Sequence, residues 1–147
     1  MNKDIKIRPA KSKDFTQIMD LLYQLWPTKT LNPVKIKKIF NKELKNPNNY
    51  YLQVAEHNKK IIGFISFSWR LNIYSHGLIS CIEELIIDEK YRKKGIGGKM
   101  LKNIFSLCKK KKINCVYLTS GFHRTEAHKF YEKFGFKKTG FGIEKFL

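Results

Sequence analysis

Arginine is scarce in this chain. Arg8, Arg70, Arg92 and Arg124 are the four among 30 basic residues, and the formal net charge is +18. Arginine is the usual reader of bases and phosphates, and the lysines are spread along the whole length. A specific nucleic-acid partner is therefore not expected. A basic nucleic-acid-binding protein remains the alternative that charge alone suggests, against a plain bias of composition toward Lys, Asn and Ile. Cysteine is also scarce. Cys81, Cys108 and Cys115 are odd in number and have no C-x-x-C spacing, which argues against a disulfide framework or a zinc site. Each sits among apolar residues and reads as a small core residue, with no neighbouring His to activate it. No run of eighteen apolar residues occurs, so no membrane-spanning helix is expected. The stretch from Met1 to Arg8 lacks the apolar block of a signal peptide, which points to the cytoplasm. Without repeats or low-complexity linkers, residues 1–147 read as one domain.

What is present is a clear succession of elements. Ile5 to Arg8 reads as a strand stopped by Pro9. A helix follows from about Lys13 to Trp26, with Phe15, Ile18, Met19, Leu22 and Leu25 at helical spacing, Ser12 as its cap and Pro27 as its stop. Asn32-Pro33 starts a second helix, and Asn46-Pro47 ends it. Tyr50–Glu56 and Lys60–Trp69 are strand-like about the turn His57-Asn58-Lys59, and Gly77–Asp88 is a third strand. Ile96–Lys110 is an amphipathic helix that ends in the basic tract Lys109 to Lys112, where cations offset the helix dipole. Cys115–Thr119 reads as a short buried strand, Thr125–Phe134 as a helix capped by Gly135, and Phe136–Phe146 as a last strand. The class is mixed α/β, an α+β layer protein.

The turn Arg92-Lys93-Lys94-Gly95-Ile96-Gly97-Gly98 joins a strand to a helix. Successive backbone N–H groups there, with a helix N-terminus behind them, form an anion site suited to a pyrophosphate. Glycine lets the phosphate reach the backbone. The turn is not a P-loop, because Met100 stands where Ser or Thr is needed and residue 93 is Lys. Nor is it a dinucleotide loop, because Gly95-Ile96-Gly97 is followed by Met100 rather than Gly or Ala.

The run I-E-E-L-I-I-D-E-K-Y-R-K-K-G-I-G-G-K-M-L from Ile82 to Leu101 resembles the acetyl-CoA motif of the Gcn5-related N-acetyltransferase (GNAT) family, [RQ]-x-x-G-x-[GA]. A second run, S-G-F-H-R-T-E-A-H-K-F-Y-E-K-F-G-F from Ser120 to Phe136, resembles the family's Ala-x-x-Phe-Tyr-x-x-x-Gly-Phe hallmark. Both stand in the family's order, and the element order fits from Ile5 to Leu147. One departure is Arg124, which occupies the position where many members carry Asn. The resemblance implies a central, mostly antiparallel, twisted sheet of about six strands with a parallel splayed pair, flanked by about four helices.

It also implies acetyl-CoA as co-substrate. The pantetheine arm would pair with Leu85, Ile86 and Ile87, and the pyrophosphate would sit on the turn formed by Arg92, Lys93, Lys94, Gly95, Ile96, Gly97, Gly98 and Lys99. The reaction needs a base for the acceptor ammonium, a donor for the oxyanion and an acid for the thiolate. Glu83 and Glu84 are the candidate bases. Strand alternation places them on opposite faces, and the pattern leaves both open with Glu84 preferred. A backbone N–H of the same strand is the expected oxyanion donor. Tyr131 matches the family's usual general acid. Trp26, Trp69 and Tyr74 are candidate acceptor liners. With 12 acidic residues in all, the composition weighs against polycationic acceptors. His123 and His128 are spaced i,i+5, which does not share a helix face, so no metal is expected. No membrane partner is expected, and a homodimer is left open. A family member that binds CoA without catalysis is the remaining alternative.

Overall fold

The computed structural model describes residues 4–147. Met1 to Lys3, part of the stretch read above for a leader, lie outside the described residues. The chain divides into two compact units that meet in sequence between Tyr117 and Leu118.

The larger unit is built on five strands: β1 (Ile5–Pro9), β2 (Tyr50–His57), β3 (Lys60–Asn72), β4 (Gly77–Ile87) and β5 (Cys115–Tyr117). They lie side by side in chain order. The first three pairings are antiparallel, and β4 with β5 is parallel. Helices α1 (Phe15–Leu25) and α2 (Pro33–Leu44) pack on one face. Their Phe15, Ile18, Leu22 and Phe40 meet Leu52, Val54, Ile61, Phe64 and Ile86 of the sheet in one apolar cluster. Helix α3 (Ile96–Lys111) lies against β2, β3 and β4, with Met100, Leu101 and Ile104 completely buried. Successive strand residues face opposite ways. Gly63 therefore turns from the face of its neighbour Phe64 to the face of α3. A methyl group on Gly63 would lie 2.8 Å from Ile87 Cδ1 and 3.0 Å from Met100 Sδ. Glycine here sets how closely α3 approaches the sheet.

Local chemistry explains most element ends. The Asn32 side chain accepts from the Lys35 amide at 3.0 Å, with Pro33 in the first helical turn. The start of α1 differs from the sequence expectation. Ser12 does not cap it, and its hydroxyl reaches Asn41 instead. A short 3-10 turn, Ser12–Asp14, leads in, and the Asp14 carboxylate accepts the Lys11 amide at 2.8 Å. Arg8 clasps this turn to the sheet, donating to Asp14 at 2.7 and 2.9 Å and to Glu56 at 2.8 Å. Burial opposes ionisation of Asp14, but those hydrogen bonds hold its carboxyl below the usual range.

Two further expectations fail on the strands. β5 has three residues and lies at the sheet edge, so Cys115 is exposed rather than a core residue. Residues 136–147 form no strand, leaving five strands where about six were expected. Lys137, Lys138, Gly140 and Gly142 interrupt that segment, which weakens any strand tendency. Its Phe141, Ile143 and Phe146 are exposed.

The smaller unit, Leu118–Leu147, carries α4 (Thr125–Lys133). An aromatic chain runs along it. Phe130 lies 5.3 Å from Tyr131 and 5.2 Å from Phe134, and Tyr131 lies 5.4 Å from Phe136, ring centre to ring centre.

Candidate functional site

A bulge in β4 organises the chemistry. Ser66 pairs with Glu84, but Phe67 pairs with Ile82, so Glu83 is an extra residue without a partner on β3. A bulge breaks the alternation of side chains. The expectation that Glu83 and Glu84 face opposite ways is thereby overturned. The Ser68 hydroxyl donates to Glu83 at 2.6 Å, while Glu84 lies opposite Ser66, and these serines share one face of β3. Helix α2 brings Glu43 to the same place, where it accepts from the Ser66 hydroxyl at 3.5 Å. Three carboxylates thus converge in a chain that has few.

Their electrostatics follow from that crowding. Burial pushes the Glu84 carboxyl up to about 7, and the negative charges of Glu43 and Glu83 push the same way. A hydrogen bond from Ser66 and the charge of Lys29 oppose the rise. Glu43 is also raised, first by burial, then by Glu83. A carboxylate poised near neutrality is suited to accept a proton from an ammonium.

Beside this cluster lies a cavity of about 330 Å³, lined by Asn46, Asn49, Tyr50, Ser68, Trp69, Arg70, Ile79, Cys81, Glu83 and Tyr117. The Asn49 side chain donates to the Trp69 carbonyl at 3.2 Å, tying the loop after α2 to β3. Burial pushes the Cys81 thiol up to about 12, with Glu83 adding to the effect, so it stays protonated. Of the sequence candidates for lining the acceptor side, Trp69 borders this cavity. Its ring packs on the opposite face of β3 from Ser68, 5.8 Å from Phe67 and under the Lys111 ammonium. Trp26 does not reach the cavity and packs on the α1–α2 core with Lys29 over its ring. Tyr74 is 93% exposed in the β3–β4 turn and also lies outside it.

The turn before α3 has the backbone that an anion site needs. Lys93 and Gly95 are both left-handed, with φ of 60° and 76°. Glycine adopts this conformation without strain, and left-handed residues in a turn are the pattern that points successive N–H groups to one side. The first α3 hydrogen bond runs from the Lys99 amide to the Gly95 carbonyl at 3.1 Å. The amides of Ile96, Gly97 and Gly98 precede it and have no partner within the helix. Arg92, Lys93, Lys94 and Lys99 are exposed around them, while Ile96, Gly97 and Gly98 are buried. Two of the basic residues already have local partners. Arg92 Nε donates to the Ile87 carbonyl at 3.0 Å, and Lys94 donates to the Lys90 carbonyl while lying over the Tyr91 ring.

The outer edge of β4 has no strand partner beyond Cys81 among the described residues. Its ladder with β5 covers Ile79, Ser80 and Cys81 and stops there. Among the described residues, Leu85, Ile86 and Ile87 therefore have a ladder with β3 alone. Such an edge is a template for an added extended chain.

In the smaller unit, Tyr131 sits on α4 within its aromatic chain. Burial pushes the phenol up to about 12, with the Arg124 charge opposing. His128 Nε2 lies 3.0 Å from the Gly121 carbonyl. No group of three or more metal-ligating side chains occurs among the described residues.

Several residues of the carboxylate cluster and of the cavity lining escaped the sequence reading. Glu43 looked like an ordinary surface residue of an amphipathic helix. Asn46 read only as part of the helix stop Asn46-Pro47, and Asn49 was not singled out. The signal for the others was present in β3, where Ser66, Ser68 and Arg70 alternate with Ile65, Phe67 and Trp69 and draw a polar stripe through a strand core.

Comparison with known proteins bears on the family and the fold. The model of the acetyltransferase (GNAT) family matches residues 15–136. The chain is 25% identical over 142 residues to an aminoalkylphosphonate N-acetyltransferase of Salmonella typhimurium, covering 97% of this chain and 91% of that protein. Among solved structures, a Trypanosoma brucei acetyltransferase aligns with TM-score 0.81 at 22% identity, covering 98% of this chain and 100% of the other. A glucosamine-6-phosphate N-acetyltransferase from Arabidopsis thaliana aligns with TM-score 0.81 at 23% identity over 97% of each chain.

Proposed function

Because the chain belongs to the acetyltransferase (GNAT) family, we propose that it transfers the acetyl group of acetyl-CoA to a primary amine of a small molecule or protein, by direct transfer in a ternary complex. The observation that carries this reading is the carboxylate cluster at the β4 bulge, with half-buried Glu84 raised to about 7 beside Glu43 and Glu83.

Acetyl-CoA, when bound, supplies an activated thioester carbonyl. The residues present fit it. The free amides of Ile96, Gly97 and Gly98 and the surrounding lysines would hold the pyrophosphate. The open β4 edge at Leu85 to Ile87 would take the pantetheine arm. Glu84, directly or through a water, takes the proton that the acceptor ammonium must lose before it can attack. Glu83, fixed by Ser68, keeps the local field negative and so favours the cationic form of the acceptor on entry. Tyr131 is the acid for the departing thiolate. At about 12 its phenol is fully protonated at neutral pH, and the raised value makes proton transfer to the thiolate uphill. Cys81 borders the acceptor cavity but is held as a neutral thiol, which supports direct transfer over an acyl-enzyme. The Salmonella relative's acceptor makes an aminoalkylphosphonate the first compound to assay.

Cofactor binding is tested by thermal melting. Acetyl-CoA binds the folded state and should raise the melting temperature. Gly97→Glu puts a side chain and a negative charge where the pyrophosphate belongs and should abolish the rise. No rise with the native chain, or an unchanged rise in the variant, would contradict the assignment of the turn.

A further inference from the structure

The cavity beside the carboxylates is bordered by charges of both signs. Its lining includes Glu83, which accepts from the Ser68 hydroxyl, and Arg70. Ser68 and Arg70 are two residues apart on the same face of β3, so their backbone positions lie about 7 Å apart along the strand. An amine seated at Glu83 and Glu84 would carry any substituent a few atoms away toward the guanidinium.

Arg70 is equipped to bind that substituent. Two other arginines have structural work, Arg8 in its ion cluster and Arg92 at the Ile87 carbonyl. The Arg70 side chain contacts its own strand, where Nη1 reaches the Leu71 carbonyl at 3.4 Å. No carboxylate lies within ion-pair distance of it among the described residues. Arg70 is exposed and borders the cavity, and an arginine fork at a cavity rim suits bidentate binding of a carboxylate, phosphate or phosphonate. Asn46 and Tyr50, from the α2–β2 connection and the start of β2, add an amide and a phenol to the same lining. A volume of about 330 Å³ falls at the small end of ligand sites, suited to a compact molecule.

We propose that the acceptor is a small zwitterion, its amine directed to the carboxylates of the β4 bulge and an anionic group bound by Arg70. This rests on the acetyl-transfer reading above and adds the acceptor class and the residue that selects it. A polycationic acceptor would meet Arg70 with like charge, and a neutral amine would leave it unused.

The test is the release of CoA thiol from acetyl-CoA with 2-aminoethylphosphonate, β-alanine, propylamine and spermidine, for the native chain and for Arg70→Gln and Arg70→Lys. The native chain should favour the anionic amines over propylamine by at least about 10-fold in kcat/KM. The phosphonate and carboxylate arms identify which anion fits. Arg70→Gln should raise KM for the preferred anionic amine by about 10- to 100-fold, the worth of a charge-assisted pair. Arg70→Lys should recover part of the loss, and the acetyl-CoA-induced rise in melting temperature should persist in both variants. Without acetyl-CoA, the preferred zwitterion should raise the melting temperature of the native chain more than that of Arg70→Gln. Equal or better turnover of propylamine or spermidine, or an unchanged KM in Arg70→Gln, would overturn this proposal while leaving acetyl transfer standing. No thiol release from any of the four would overturn both.

Discussion

Glu84→Gln removes the charge of the raised carboxyl while keeping its shape, and the structure predicts opposite effects on rate and stability. In the folded chain Glu84 titrates at about 7, against its ordinary 4.5. Between these values the folded state holds a proton that the unfolded state has released. Stability therefore falls as pH rises through that window, and the full cost is present above about 7. A rise from 4.5 to about 7 corresponds to at most about 3 kcal/mol. The glutamine variant should be more stable than the native chain at pH 8 by roughly 1–3 kcal/mol, and by less than about 1 kcal/mol at pH 5. For a chain of this size that is a melting shift of about 3–10 °C at pH 8. The same substitution removes the proposed base. The native rate should climb with pH along a limb centred near 7, and the variant should lose that limb along with about 10²–10⁴-fold in kcat. Denaturant unfolding at both pH values, together with a pH–rate profile, checks all of this. A variant that is no more stable than the native chain at pH 8, or one that keeps the acid limb, would refute the reasoning.

Three further predictions follow from the geometry. Tyr131→Phe keeps the ring in its aromatic chain and should lower kcat by about 10²–10⁴-fold with little change in acetyl-CoA affinity; full activity in steady-state assays would remove Tyr131 from the mechanism. With its phenol raised to about 12, Tyr131 should also produce no falling limb below pH 10 in the native profile. Gly63→Val drives two methyl groups toward Ile87 and Met100 and should destabilise the chain by about 1–3 kcal/mol in urea unfolding; a neutral result would mean α3 yields easily.

Much of the fold was legible because periodicity and punctuation agreed. Asn32-Pro33 marked the start of α2, and the glycine-bearing turn before Ile96 marked the start of α3. The two hallmark runs named the family and its expected anion turn. What sequence spacing hid was the bulge. A bulge depends on the register between β3 and β4, and nothing local to Glu83 distinguishes an extra residue from a paired one. Strict alternation therefore separated two carboxylates that the fold brings together. Glu43 was hidden for a related reason, since its meeting with Ser66 joins positions far apart in the chain. Trp26 and Tyr74 were chosen as large aromatics near the right segments. Packing decided their places: Trp26 packs, partly buried, against the α1–α2 core and Tyr74 is exposed to solvent. The segment 136–147 shows the opposite error, scattered apolar residues read as a strand where no ladder forms.

The most direct measurement is thiol release from acetyl-CoA in the presence of an amine panel, with the acetylated product identified by mass. The account predicts thiol release matched by an N-acetylated amine, lost in Gly97→Glu and reduced at least about 100-fold in Glu84→Gln. Tight binding of acetyl-CoA with no acetylated product from any amine class would contradict it.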